Sequence, residues 1–196
     1  ANKYNSYVIG GSIPEADSDK IYNTSLIFNR NGDVISKYRK IHLFSITYPD
    51  KTTFSEADVL SPGKEIITFD TEFGKIGIMI CFDIRFPLLA KKIREKGAKV
   101  IFVPGAFNSF TGPLHWHTTF KARAIDNQIF LVGASPSNDS FGNYEPYGHS
   151  LVVNPLGKIL NQLKEDEGLF EINIDLNEID NARNTIPIVK NEINLD

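Results

Sequence analysis

Ten short runs rich in β-branched and aromatic residues, set apart by turn-forming residues, cross the 196 positions of this chain. They fall at residues 7–13, 22–29, 33–37, 65–71, 75–81, 99–104, 129–135, 149–154, 158–163 and 168–175, and each reads as a strand. Only two stretches carry a helical period. Residues 87–96 put Leu88, Leu89 and Ile93 on one face and Lys91, Lys92, Glu95 and Lys96 on the other, with Pro87 at the start and Gly97 at the stop. Residues 113–127 carry Leu114, Phe120, Ala124 and Ile125 inward with Lys121 and Arg123 outward. Strand, helix, strand, helix, strand, followed by hairpins, predicts an α/β protein with a layered core. The runs at 99–104 and 129–135 are apolar on both faces, so their sheet is predicted to be covered on both sides. Asn31-Gly32-Asp33 and Pro155-Leu156-Gly157 read as hairpin turns.

A chain of this length holds one domain of ordinary size, taken here as 1–196. With 21 basic and 24 acidic side chains the formal charge is −3, which gives no basic excess to collect phosphates. Nucleic acid and anionic membrane are therefore poor partners. The longest apolar runs are far too short to span a bilayer, and residues 1–20 contain no signal-peptide core. A single cysteine rules out an intrachain disulfide and any multi-cysteine metal site, and suggests a reducing compartment. No glycine-rich phosphate loop occurs, and His115 and His117, two apart, do not share a helix face.

The lone cysteine, Cys81, closes the run Ile76-Gly77-Ile78-Met79-Ile80 and precedes Phe82-Asp83-Ile84-Arg85-Phe86-Pro87. A lone cysteine is more often a small buried hydrophobe than a reagent. Between a buried strand and a helix start, however, it sits on a sharp turn where amide dipoles favour thiolate, and the Asp83-x-Arg85 pair after it suggests a local ion pair. Lys40 lies 41 residues earlier, in Lys37-Tyr38-Arg39-Lys40-Ile41-His42-Leu43-Phe44. Alternation places Tyr38, Lys40 and His42 on one face and Arg39, Ile41 and Leu43 on the other. Lysine is usually solvated; inside a cleft its ammonium would stabilise an oxyanion and hold Cys81 as thiolate. Glu56, in the loop between them, reads by itself as a surface acid.

Those two segments, with Leu60-Ser61-Pro62-Gly63, resemble the nitrilase, or carbon–nitrogen hydrolase, superfamily. Pro104-Gly105-Ala106-Phe107-Asn108, Thr111-Gly112-Pro113-Leu114-His115-Trp116, Ala122-Arg123-Ala124-Ile125-Asp126-Asn127-Gln128 and Tyr147-Gly148-His149-Ser150 look like its omega-amidase branch. The resemblance implies an α-β-β-α sandwich that dimerises sheet to sheet, with Cys81 as nucleophile, Lys40 as oxyanion lysine and Glu56 as the family's second glutamate. It makes the backbone N–H of Phe82 the other oxyanion donor, and gives Arg85, Asn108 and His115 to substrate binding or support. The implied reaction hydrolyses the terminal amide of a short 2-oxo dicarboxylic monoamide, 2-oxoglutaramate or 2-oxosuccinamate, through a thioester. It needs no metal or cofactor, and the implied location is cytoplasmic or mitochondrial.

Phe82 stands where the branch usually has tyrosine, and Leu88 and His117 stand where it usually has glutamate. The family also opens with a strand–helix–strand unit that carries the general-base glutamate, ahead of the strand matching residues 7–13. This unit is expected to be missing ahead of Ala1. The expectation is a shortened chain with open edges that associates and turns over poorly by itself, since general-base assistance supplies roughly 10²–10⁴-fold. Two alternatives stand beside it: an amidase acting on deaminated glutathione, and a non-catalytic remnant that pairs with a complete homologue.

Overall fold

A computed structural model of the chain describes residues 1–138 and 144–193. Strands β1 (Val8–Ile9), β2 (Ile13–Asp17), β3 (Lys20–Phe28) and β4 (Val34–Arg39) form an antiparallel sheet in which β3 pairs with all three others. The expected run 7–13 is thus split between β1 and β2, where Gly11 takes φ +70°. A small hairpin, β5 (Ser45–Thr47) and β6 (Thr53–Ser55), follows. The remaining strands are β7 (Thr68–Thr71), β8 (Gly74–Ile78), β9 (Val100–Pro104), β10 (Phe130–Ala134), β11 (Leu151–Val153) and β12 (Ile159–Gln162). They lie side by side in the order β12-β11-β10-β9-β8-β7. Pairing is parallel from β8 to β9 and from β9 to β10, and antiparallel elsewhere. Helices α1 (Pro87–Glu95) and α2 (Gly112–Asn127) cross over between the parallel strands, as the strand and helix order predicts.

One face of β9 and β10 is covered throughout, and the other is covered in part, with an apolar groove left open along Phe102 and Val132. On one face Ile101, Val103 and Leu131 meet Leu89, Ile93, Trp116, Phe120 and Ala124 of α1 and α2. On the other, Phe102 reaches the Tyr38, Ile78 and Ile80 cluster below β4, and Val100 and Phe130 pack on Ile179 of α3 (Asn177–Thr185). Trp116 is fully buried, its ring centroid 4.5 Å from Phe120, and its indole N–H donates to the His149 carbonyl at 2.8 Å. That satisfies the one polar atom that a core tryptophan must place.

The helix faces differ from expectation. Leu88, Leu114 and Ile125 are exposed, and Arg123, expected outward, is 9% exposed. Its Nε donates to the Ile84 carbonyl at 3.0 Å and its Nη2 to that of Arg85 at 3.4 Å, so it caps orphan carbonyls of the turn ahead of α1. Residues 168–175, expected as a strand, are without ladder pairing. No helix among the described residues is long and apolar enough to cross a membrane.

Candidate active site

Chain geometry brings Cys81 to the tip of the sheet. β8 ends at Ile78, and a single 3₁₀ turn, Cys81–Arg85, leads straight into α1. Cys81 takes φ +48°, a left-handed conformation that a residue with a Cβ adopts only when its surroundings enforce it. The enforcement comes partly from the strand next door. A Cβ on Gly105, just past β9, would lie 2.7 Å from the Cys81 Cα and 2.9 Å from its Cβ, so only glycine lets the two backbones approach. The amide of Phe82, second in the turn, is one of the N–H groups that a helix start leaves without an internal partner.

Lys40 follows β4 and is 1% exposed. Its backbone is fixed on both sides, N–H to Asn23 at 2.8 Å and C=O accepting from Gly63 at 2.8 Å. Its Nζ donates to both oxygens of Glu56, at 2.8 and 2.6 Å. Glu56 opens a short turn after β6, and its Oε2 also accepts from the Phe44 amide at 2.7 Å. Read by itself as a surface acid, Glu56 is instead the counter-ion of a buried lysine, and its place in a loop gave no periodic signal of this.

Burial pushes the Cys81 thiol up from its ordinary value. Lys40, the Ala106 amide and Arg85 pull the other way, and Glu56 reinforces the rise. The expectation that Lys40 holds a resting thiolate is therefore corrected: desolvation outweighs an ammonium whose charge is already shared with Glu56. Lys40 and Glu56 are nevertheless near enough for their charges to act on the sulfur, so the cysteine and lysine share one electrostatic site.

The expected Asp83–Arg85 ion pair is also corrected. Asp83 is fully buried and takes hydrogen bonds from the Tyr38 hydroxyl (2.7 Å) and the Ile80 amide (3.0 Å) on Oδ2. Its Oδ1 faces the His42 amide (2.9 Å) and the His42 Nδ1 (2.8 Å). Arg85 turns away to His115 Nδ1, at 2.7 Å, with its guanidinium over the Phe107 ring at 4.5 Å. Burial and the adjacent Arg85 lower the His115 pKa, which leaves a neutral ring to accept that hydrogen bond. The Arg85 Nε is buried with no partner.

A narrow cleft opens over the sulfur, lined by Cys81, Phe44, Phe82, Arg85, Ala106, Phe107, Asn108, Thr111 and Tyr144. A water-sized sphere can reach only about 10 Å³ within it, roughly the room of one water, so the walls stand close around the sulfur. Of the expected site residues, Cys81, Phe82, Arg85 and Asn108 line it. Lys40 and Glu56 lie behind it, and His115 braces Arg85 from outside. Asn108 is committed internally, its Oδ1 accepting from the Thr111 amide and hydroxyl (2.7 and 2.8 Å) and its Nδ2 donating to the Tyr48 hydroxyl (2.8 Å). Thr111, Tyr144 and Phe44 join the cleft without having been singled out from sequence. No cluster of three or more metal-ligating side chains occurs among the described residues.

A cysteine on a strained strand-to-helix turn, backed by a buried lysine–glutamate pair and set in this two-sheet architecture, defines a class. The chain belongs to the carbon–nitrogen hydrolase family, whose model matches residues 1–184. It is similar to the omega-amidase NIT3 of Saccharomyces cerevisiae, 45% identical over 97% of this chain and 66% of that protein. The human omega-amidase NIT2 is 44% identical over 97% of this chain and 69% of its own length. The crystal structure of S. cerevisiae Nit3, a member of branch 10 of the nitrilase superfamily, superposes with a TM-score of 0.88 at 44% identity, covering 97% of this chain and 68% of that one. The chain thus spans about two thirds of the length of the curated relatives it matches. The nitrilase fold expected from the sequence motifs is borne out.

Proposed function

We propose that this site hydrolyses the terminal amide of short 2-oxo dicarboxylic monoamides, 2-oxoglutaramate and 2-oxosuccinamate, through a Cys81 thioester. The observation that carries the reading is the buried Lys40–Glu56 pair acting on the sulfur of a strained turn. Cys81 Sγ attacks the amide carbonyl carbon. The oxyanion is met by the Lys40 ammonium and the Phe82 N–H, a preorganised pair of donors in a dry site. The thiol proton passes to the departing nitrogen, the C–N bond breaks and ammonia leaves. Water then attacks the thioester, the C–S bond breaks, and the proton returns to sulfur.

Glu56 serves by holding the Lys40 side chain in place. Arg85 at the cleft wall, with its unpartnered Nε, supports a substrate whose far end is a carboxylate. Asn108 and Thr111 shape the wall between them. Because Glu56 is committed to Lys40 and Phe44, and the thiol is pushed up by burial, we expect slow acylation by residues 1–196 alone. Sheet-to-sheet homodimerisation belongs to the same reading, supported by an apolar groove bordered by Phe102, Val132, Val152 and Phe170.

Ammonia release from 2-oxoglutaramate and from deaminated glutathione, with acyl-enzyme trapped at Cys81 by mass spectrometry, tests the proposal. Preference for the first substrate with an adduct on Cys81 is the expected result. Preference for the second moves the chain to that amidase branch. No adduct on Cys81 from either leaves the non-catalytic reading.

A further inference from the structure

We propose that Asp83 is a positioning residue of this site, tying the strand end that carries Lys40 to the turn that carries Cys81 and so setting the spacing of ammonium and sulfur. The proposal rests on the reading of Cys81 and Lys40 as a working pair.

Asp83 is wholly buried, and a buried carboxylate survives only when its oxygens are filled. Each oxygen has two partners, and their origin is informative. The Ile80 amide belongs to the turn itself, and a carboxylate that merely capped the turn would need no more. The Tyr38 hydroxyl, on β4, and the backbone amide and ring Nδ1 of His42, in the bend that follows β4, lie 45 and 41 residues away in sequence. Tyr38 and His42 are the residues two before and two after Lys40, one on β4 and the other in the bend after it. The carboxylate therefore grips the lysine from both sides while its own backbone forms the turn two residues after the cysteine.

The grip also extends to the far end of that turn. The His42 ring stacks on Phe86, centroids 3.6 Å apart and planes 7° from parallel, and Phe86 is the last residue before α1. Burial and the Asp83 charge push the Tyr38 phenol up, so its hydroxyl stays a donor throughout the working range. Tyr38, His42 and Asp83 are absent from the cleft lining, and Asp83 is wholly buried with both oxygens already occupied. Their role is geometric: a shift of about 1 Å between reacting groups costs on the order of 10²-fold in rate.

The test is the pH dependence of Cys81 alkylation by iodoacetamide on folded protein, which requires no amide turnover. Its failure is therefore distinguishable from failure of the amidase reading. The groups whose charges bear on the sulfur are Lys40, Glu56 and Arg85. In the unaltered chain, removing the pair with Lys40→Met/Glu56→Gln changes the profile. Asp83→Asn retains size but presents an N–H₂ to one set of donors, so alkylation at fixed pH is expected to slow by at least about tenfold. In that background the pair substitution should produce no further shift. A folded Asp83→Asn protein with an unchanged profile, or with shifts that simply add, overturns the proposal. Should Asp83→Asn not fold, Tyr38→Phe removes a single donor and is expected to slow alkylation a few-fold; a folded Tyr38→Phe chain that alkylates at the unaltered rate overturns the proposal equally.

Discussion

At Lys40 the ammonium has exchanged water for two carboxylate oxygens at 2.8 and 2.6 Å in a site that is 1% exposed. Removing one partner strands the other, and breaking a buried pair in this way costs about 3–5 kcal/mol, whereas replacing both members together costs far less. Glu56→Gln is therefore expected to lower the urea midpoint sharply, and Lys40→Met/Glu56→Gln to restore most of it. The two substitutions act on the thiol in opposite directions. Glu56 raises the Cys81 pKa and Lys40 lowers it, so Glu56→Gln moves the alkylation profile to lower pH and Lys40→Met moves it to higher pH. Rates measured from pH 6 to 10 check both signs. At this scale the sequence exposed Cys81 and Lys40 because each sits in a patterned segment, one ending a strand and one on an alternating face. Glu56 was reached only through the resemblance, because its partner is chosen by a loop, and Asp83 was misassigned, because two of its partner residues, Tyr38 and His42, lie more than 40 residues away.

Among the secondary-structure elements, the parallel strands were legible because burial on one face and partial cover on the other leave an unbroken apolar run in β9 and β10. The hairpin of β5 and β6 was not, since three-residue strands with exposed side chains carry no usable period. α3 was missed as well: only Ile179 and Ala182 of its nine residues are buried, too few to mark a face. α2 was placed correctly but rotated, because its buried side includes Arg123 and Asn127, polar residues that serve neighbouring carbonyls. The end of β9 supplies the prediction at this scale. Gly105→Ala would drive a methyl to 2.7 Å from the Cys81 backbone, where no flexible side chain can yield. The expected cost is roughly 1–3 kcal/mol of stability by overpacking, together with a change in thiol reactivity as the turn is displaced. Gly105→Ala protein with unaltered alkylation kinetics would show that the strand end does not hold the turn.

Across the whole molecule, three carboxylates tie distant segments together, and their titration sets how the fold responds to acid. Glu15 on β2 accepts from Thr24 on β3 and from Lys37 and Arg39 on β4, and the Arg39 hydrogen bonds hold it far below the usual carboxylate range. Glu72, between β7 and β8, receives the hydroxyl of Tyr7, just before β1, and the guanidinium of Arg30, in the turn after β3. Glu192 binds Lys91 and Arg94 of α1 and so anchors the C-terminal segment. Hydrogen bonds lower the pKa of Glu72 and Glu192 as well. A carboxyl with a depressed folded pKa is protonated more readily in the unfolded chain. Its contribution is complete above the unfolded value near ~4.3 and is lost as pH falls through the folded one. Glu72 and Glu192 are largely open to solvent, at 47% and 34%, so screening leaves them a small share. Glu15, at 22% with three partner residues, carries most of the effect. The urea midpoint is therefore expected to stay level from about pH 8 to pH 6 and to fall below about pH 5. Glu15→Gln should flatten that fall while lowering the plateau, whereas Glu72→Gln should change little. A midpoint that drops equally for the unaltered chain and for Glu15→Gln would place the acid sensitivity outside this cluster.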